Sequence, residues 1–292
     1  MEMNDRRSFL LRVGQMGLFG SLLVPLTGCP PPAAEGEGEG EGEAYVIPPL
    51  PWPYAELDLE QVRKSGHLWY GSKECCGGVF TAIVKALASV VGDPYDKIPC
   101  DMMLYGAGGV AGMGSLCGTL NGAGAAMSLV FDKPTVKTLM QQVISWYGAT
   151  ALPSDESDGY AVNHQLLEGD PYTIDISLPA SVSGSELCHV SVTEWCLASS
   201  FTGGSPERKE RCGRLAGDVA AKAVELMNAM YNGTFAPAYP LPSESSSCAV
   251  CHKETNTFDA GGFTRGSTDC NICHKDAYTD VPNNPLHNAV MQ

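Results

Sequence analysis

In "VFTAIVKALASVV" the apolar residues Val79, Ile83, Val84, Leu87 and Val90 or Val91 recur at three- and four-residue steps, the period of one helix face. "PTVKTLMQQVISWYG" repeats the pattern with Val136, Leu139, Met140, Val143, Ile144 and Tyr147. A third run has stronger end signals: Ser205 as N-cap, Pro206 at the first helical position, Glu207 in the first turn and Gly233 past the end. These predict a helix of about seven turns. Its apolar face carries Cys212, Leu215, Val219, Ala223 and Leu226, and in "ELCHVSVTEWCLAS" Cys188 and Val192 share a face with Trp195. Both thiols are therefore expected to point inward. Period-two alternation is scarce, so the fold class is mainly α.

The pattern fails over Met102 to Phe131, which holds no charge. One reading is a membrane helix, opposed by eight glycines and Asn121. Another is a dinucleotide loop, since Gly106, Gly108 and Ala111 fit G-x-G-x-x-A with Asp132 further on, but that motif needs a strand before it. A third is a buried helix on which Gly114, Gly118 and Gly122, four apart, admit a close neighbour beside Cys117.

The two ends of the chain differ from this middle. Arg6 and Arg7 before Ser8, Phe9 and Leu10 look like a twin-arginine export signal, and the apolar run Val13 to Val24 is too short and glycine-broken for a stable span. "LTGC" resembles a lipoprotein processing box, with Cys29 as the lipid anchor. Pro30 to Pro32 and the alternating Glu and Gly after them offer no apolar face and read as a solvated tether. The expected division is a signal peptide at 1–28, a tether at 29–45, a helical domain at 46–240 and a loop-rich segment at 241–292. The expected location is the periplasm or outer envelope face, lipid-anchored to the membrane. The net charge of -15 argues against nucleic acid as a partner.

The C-terminal segment holds Cys248, Cys251 and His252, then Cys270, Cys273 and His274. The cysteine spacing alone suits a zinc ribbon. Four thiolates complete such a site, however, and leave both histidines without a role. Covalent haem attachment needs a histidine at that position, because the thiols add to the porphyrin vinyl groups and the adjacent imidazole binds iron. With 6 histidines in 292 residues, a chance match at both places has odds of roughly one in two thousand. Two haem c groups are the expectation, and an export leader agrees with it, since haem is attached outside the bacterial cytoplasmic membrane. Each low-spin haem needs a sixth ligand; His287 ranks first and His189 second, ahead of His67 and His164.

Seven cysteines remain: Cys75, Cys76, Cys100, Cys117, Cys188, Cys196 and Cys212. In an exported chain the default is disulfides, though the number is odd and no local pairing pattern is visible. "ECCGGVFTAIV", "GAGGVAGMGSLCGTLNGA", "LCHVSVTEWC" and "RCGRLAGDVAAKAVELMN" resemble the four-cysteine domain named for its C, GCAxxG, C, C pattern. Together with the two haem motifs, the stretch from Leu59 to His274 resembles the split-Soret cytochrome c family. The resemblance implies a helical iron-sulfur domain followed by a small dihaem segment, in a homodimer. It implies cluster ligands at Cys75, Cys117, Cys188 and Cys212, with Cys76 a rival to Cys75 and Thr119 standing where the family favours Ala. Cys100 and Cys196 are then ordinary buried thiols.

These features point to an electron carrier that serves redox proteins, more than to an enzyme. One alternative is a multi-centre haem oxidoreductase acting on a small molecule, with Cys188-His189 beside Trp195 as its site. The other is a structural module built on a zinc ribbon and disulfides.

Overall fold

The computed structural model describes residues 45–166, 174–242, 252 and 266–269. The chain divides between Val46 and Ile47, and every element below belongs to the second unit. The leader, Cys29 and nearly all of the expected tether lie outside the described residues.

Helix α1, Leu59–Val91, starts where the Asp58 side chain accepts the Gln61 N–H at 2.9 Å, and it ends at Gly92 with φ 80°. It is broken at Glu74, whose φ of 56° and ψ of -171° leave helical space, so Cys75 opens its second arm. Two short 3-10 helices follow, Tyr95–Lys97 and Cys100–Gly106. Then come α2 at Gly118–Val130, α3 at Lys133–Ala149, β1 at Ala151–Leu152 and α4 at Asp155–Val162. β2 at Ser181–Val182 pairs antiparallel with β1, with Ala151 opposite Val182. The described elements close with α5, Cys188–Ser199, and α6, Pro206–Tyr231.

The most extensive contact is between α1 and α6. It is close because a Cβ on Gly217 would stand 2.6 Å from the Arg63 carbonyl oxygen; only glycine lets the two backbones approach this far. Val79, Ile83, Leu120, Leu139, Leu215 and Met227 fill the space between α1, α2, α3 and α6. Each such side chain contributes roughly 1.5–3 kcal/mol by leaving water. Asn228 pins the entering chain to α6, donating to the Leu57 carbonyl at 2.8 Å and accepting from Tyr54 Oη at 2.6 Å.

The three expected helices form, and Ser205 caps α6 by accepting the Arg208 N–H at 3.1 Å. The segment from Met102 to Phe131 differs from all three readings. No strand precedes its glycines, so the dinucleotide unit does not exist, and its only α-helix has 13 residues, too short to span a bilayer. The glycine-faced helix begins only at Gly118. Gly114 lies before it in a loop, at φ 71°, together with Gly108, Gly109, Val110, Ala111 and Gly112, all in the left-handed region. A run of such residues cannot continue a right-handed helix. Backbone bonds within the loop hold it instead, including Gly114 N–H to Gly108 O and Ser115 N–H to Gly109 O, both 3.0 Å.

Candidate functional site

Cys75 is the first residue of the second arm of α1, Cys117 caps the N-terminus of α2, and Cys188 is the first residue of α5. Three thiols thus sit where unpaired N–H groups and the helix dipole favour negative charge. Cys212 lies in the second turn of α6. The end of the glycine loop brings Cys117 and Cys188 together by pairing with the residues that lead into α5: the Cys117 N–H donates to Glu186 O at 2.9 Å, and the Cys188 N–H to Ser115 O at 2.7 Å. On the other side Cys75 reaches the start of α2, where a Cβ on Gly118 would be 2.5 Å from its sulfur.

The charges of Cys117, Cys212 and Cys188 all act on the Cys75 thiol. Cys76 feels Cys117 alone, and its sulfur lies against Gly106. Of the two neighbours, Cys75 shares a neighbourhood with all three other candidate ligands. None of the seven described cysteines is in a disulfide. Cys75 and Cys117 are buried, but Cys188 and Cys212 are half-buried, because α5 and the first turns of α6 form the rim of the domain. The inward placement expected for those two is corrected accordingly. Cys196 on α5 is likewise half-buried, whereas Cys100 is buried.

Burial, reinforced by the neighbouring thiols, pushes Cys188 and Cys76 up to about 12 and raises Cys75 as well. Ionised thiols here therefore require positive charge close by. Arg208 supplies some, with Nη1 3.9 Å from Cys212 Sγ. Arg211 supplies more. It is 2% exposed, its Nη2 donates to Ser191 Oγ at 2.8 Å, and no described carboxylate pairs with it. Burial disfavours its charge, yet Cys212, Tyr147 and Cys117 hold its pKa above the ordinary value, and its Nε has no hydrogen-bond partner. A buried guanidinium without a carboxylate is costly unless an anion faces it. Thr119 Oγ1 lies 3.2 Å from Cys117 Sγ, so the residue that departs from the family pattern adds a polar contact to the sulfur.

Among the described residues no three His, Cys, Asp or Glu side chains close around a single ion. Thiols with two arginines beside them are nevertheless a donor chemistry that suits an anionic iron centre.

Sequence reasoning missed Arg208, Arg211, Tyr147 and Ser191. A usable signal existed for the first two: arginines next to Cys212 and four before it, on the same helix as that thiol.

His189 is exposed, and its Nδ1 lies 2.8 Å from the Gly114 carbonyl oxygen. A carbonyl only accepts, so Nδ1 carries the proton and Nε2 holds the lone pair in the neutral ring, as a ligand histidine requires. His67 is buried, with Nε2 3.0 Å from Glu210 Oε1 but outside aligned hydrogen-bond geometry. His164 faces Asp175 at 3.7 Å. Cys248, Cys251, Cys270, Cys273, His274 and His287 lie outside the described residues, and His252 is half-buried. Gln142 holds the chain that leads to them, accepting from the Ala238 and Tyr239 N–H groups and donating to Tyr239 O, each at 2.8 Å.

Residues 70–226, most of the helical domain, match the family described as "Putative redox-active protein (C_GCAxxG_C_C)". The split-Soret cytochrome c of Desulfovibrio desulfuricans is 36% identical over 194 residues, covering 66% of this chain and 66% of its own length. A solved structure of the split-Soret cytochrome c from that species, described as showing "a novel iron centre", superposes with a TM-score of 0.65 at 33% identity, covering 76% of this chain and 90% of that one. The chain belongs to the split-Soret cytochrome c family.

Proposed function

We propose that this chain is an exported cytochrome that carries electrons through an iron-sulfur centre and two covalently bound haems. The observation that carries the reading is the buried Arg211, beside the thiols of Cys117, Cys188 and Cys212 with no described carboxylate to neutralise it. The family relationship and the solved iron-bearing relative support the same assignment. Cys75, Cys117, Cys188 and Cys212 hold the iron centre; Cys248, Cys251 and His252 hold one haem, and Cys270, Cys273 and His274 the other.

Bound iron supplies one-electron chemistry at each centre. The helical domain does the rest. The helix N-termini at Cys75, Cys117 and Cys188 and the two arginines offset sulfur charge, and the packed side behind Cys117 keeps water from the centre. The half-buried rim at Cys188 and Cys212 is where electrons enter or leave. His189, on that rim with its proton fixed on Nδ1, is suited to bind the iron of a haem, either its own or a second copy's in a homodimer. The leader and the lipid at Cys29 tether the carrier outside the cytoplasmic membrane, where redox proteins are its partners.

The test is an absorption spectrum of reduced protein from a host competent in haem maturation, with iron and acid-labile sulfide counted per chain. Low-spin haem bands, two haems by mass and additional iron with sulfide are expected. A colourless protein, or high-spin ferrous haems that both bind carbon monoxide, would contradict the reading.

A further inference from the structure

The C-terminal half of α3, the turn that leads into α5 and the described part of the C-terminal segment border a cavity of about 540 Å³, inside the roughly 300–1,000 Å³ range of cofactor pockets. Its surface is mostly apolar. Ile144, Ser145 and Gly148 line it from α3, Ser185 and Glu186 from the turn, and Asp269 from the C-terminal segment. Two features separate it from a packing defect. Ser145 Oγ is buried and has no hydrogen-bond partner among the described residues, whereas buried hydroxyls ordinarily have one. Gly148 leaves its wall bare: a Cβ there would meet nothing nearer than Ser185 N at 3.6 Å, so the space is not set aside for close backbone packing. Chain continuity supplies the occupant. Asp269 lines the cavity and Cys270 follows it, with Cα atoms about 3.8 Å apart across the peptide. Whatever bonds to Cys270 is therefore held at the cavity, and a haem brings a flat, largely apolar macrocycle with polar edges to meet apolar walls and a lone hydroxyl.

We propose that Ile144, Ser145, Gly148 and residues 184–186 are the seat of the haem bound through Cys270 and Cys273, and that this seat couples it to the iron centre. The proposal rests on the reading of this chain as a carrier with both kinds of centre. Glu186, on the cavity wall, accepts the Cys117 N–H at 2.9 Å, so one peptide and one hydrogen bond lie between the seat and a ligand residue of the iron centre. Gly184 N–H donates to Gly148 O at 2.9 Å and holds the turn against α3. An electron crosses there in either direction, leaving one centre oxidised and the other reduced, with no bond made or broken. The haem at Cys248 and Cys251 has no part in this seat.

The experiment uses the full chain with haems and iron loaded. Backbone hydrogen exchange at 144–149 and 184–186 is compared by mass spectrometry in wild type, in Cys270→Ser with Cys273→Ser, and in Cys248→Ser with Cys251→Ser. Losing the haem at Cys270 should speed exchange in both stretches about tenfold, while losing the haem at Cys248 should leave them as in wild type. No change on losing the haem at Cys270, or the same change in both variants, overturns the seat. Gly148→Leu keeps both attachment motifs and decides the matter where a cysteine variant does not fold. Its added side chain should shift the absorbance and potential of one haem only, and slow the redistribution of an electron from that haem to the iron centre after pulse reduction. Two unaltered haems overturn the seat, and an unaltered redistribution rate beside a shifted haem overturns the coupling. A wild type at its bare polypeptide mass sinks the haem reading itself, so the two failures are distinguishable.

Discussion

Helix α6 carries two buried arginines three residues apart, and they are neutralised in different ways. Arg214 is wholly buried and saturated by the chain itself: Nε bonds Glu210 Oε1 at 2.9 Å, Nη1 pairs with Asp158 and Nη2 donates to Ile174 O at 2.6 Å. Arg211 has a serine, a tyrosine and thiols around it, and no described carboxylate. The first arrangement closes its charge balance internally and fastens α4 to α6. The second stays open until something anionic arrives. A buried cation of that kind marks a site, whereas a closed ion-pair network marks scaffold. The lower part of α6 continues the scaffold pattern, with Asp218 accepting from Ser154 N–H at 2.8 Å, Ser157 Oγ at 2.6 Å and Arg63 Nη1 at 2.6 Å.

The sharpest way to break this contrast is at the sulfurs. Cys117→Ser should lose the iron centre and its sulfide while keeping both haems, whereas Cys76→Ser should retain all three; iron and sulfide counts per chain distinguish them. Next in size, Arg214→Met leaves buried Glu210 and half-buried Asp158 without their cation and should cost about 3–5 kcal/mol in chemical denaturation. Arg211→Met should leave the carboxylate network intact and show its effect in faster loss of iron to a chelator. If the two variants behave alike, the distinction between site and scaffold fails.

A smaller effect concerns pH. Burial raises the Glu210 pKa, but His67 and Arg214 outweigh it and hold the carboxyl below its ordinary 4.5. A depressed pKa stabilises the fold fully above the ordinary value, and that contribution is lost as pH falls through the folded one. Denaturation between pH 5 and pH 3 should therefore be steeper in wild type than in Glu210→Gln, with the shortfall of the variant greatest at neutral pH. Smallest, Ser205→Ala removes the N-cap of α6 and should cost about 1 kcal/mol, read as a lower melting temperature with unchanged cofactor content.

Much of the scaffold was legible in the sequence. The period of Val136 to Tyr147 and the Ser205-Pro206 start translate directly into α3 and α6, because repeating apolar positions and caps act within one or two turns. The glycine segment was not legible. Its composition is compatible with a helix, and what excludes one is a succession of left-handed residues whose end pairs with residues 186–189 at the entry to α5, a contact made across about 70 positions of chain. The candidate site divides similarly. The four cysteines, with Cys75 ahead of its rival Cys76, followed from family resemblance, while the tertiary structure adds that Cys75 lies near all three others and Cys76 near Cys117.

By itself the sequence determined the helices and displayed the two C-x-x-C-H runs, since each depends on residues close along the chain. Only the tertiary structure decided which thiols meet, which sit at helix N-termini, and that Arg211 rather than Arg214 is the open cation. Those outcomes depend on distances between segments that share no local pattern, and on burial, which turns an ordinary surface charge into one that must find a partner.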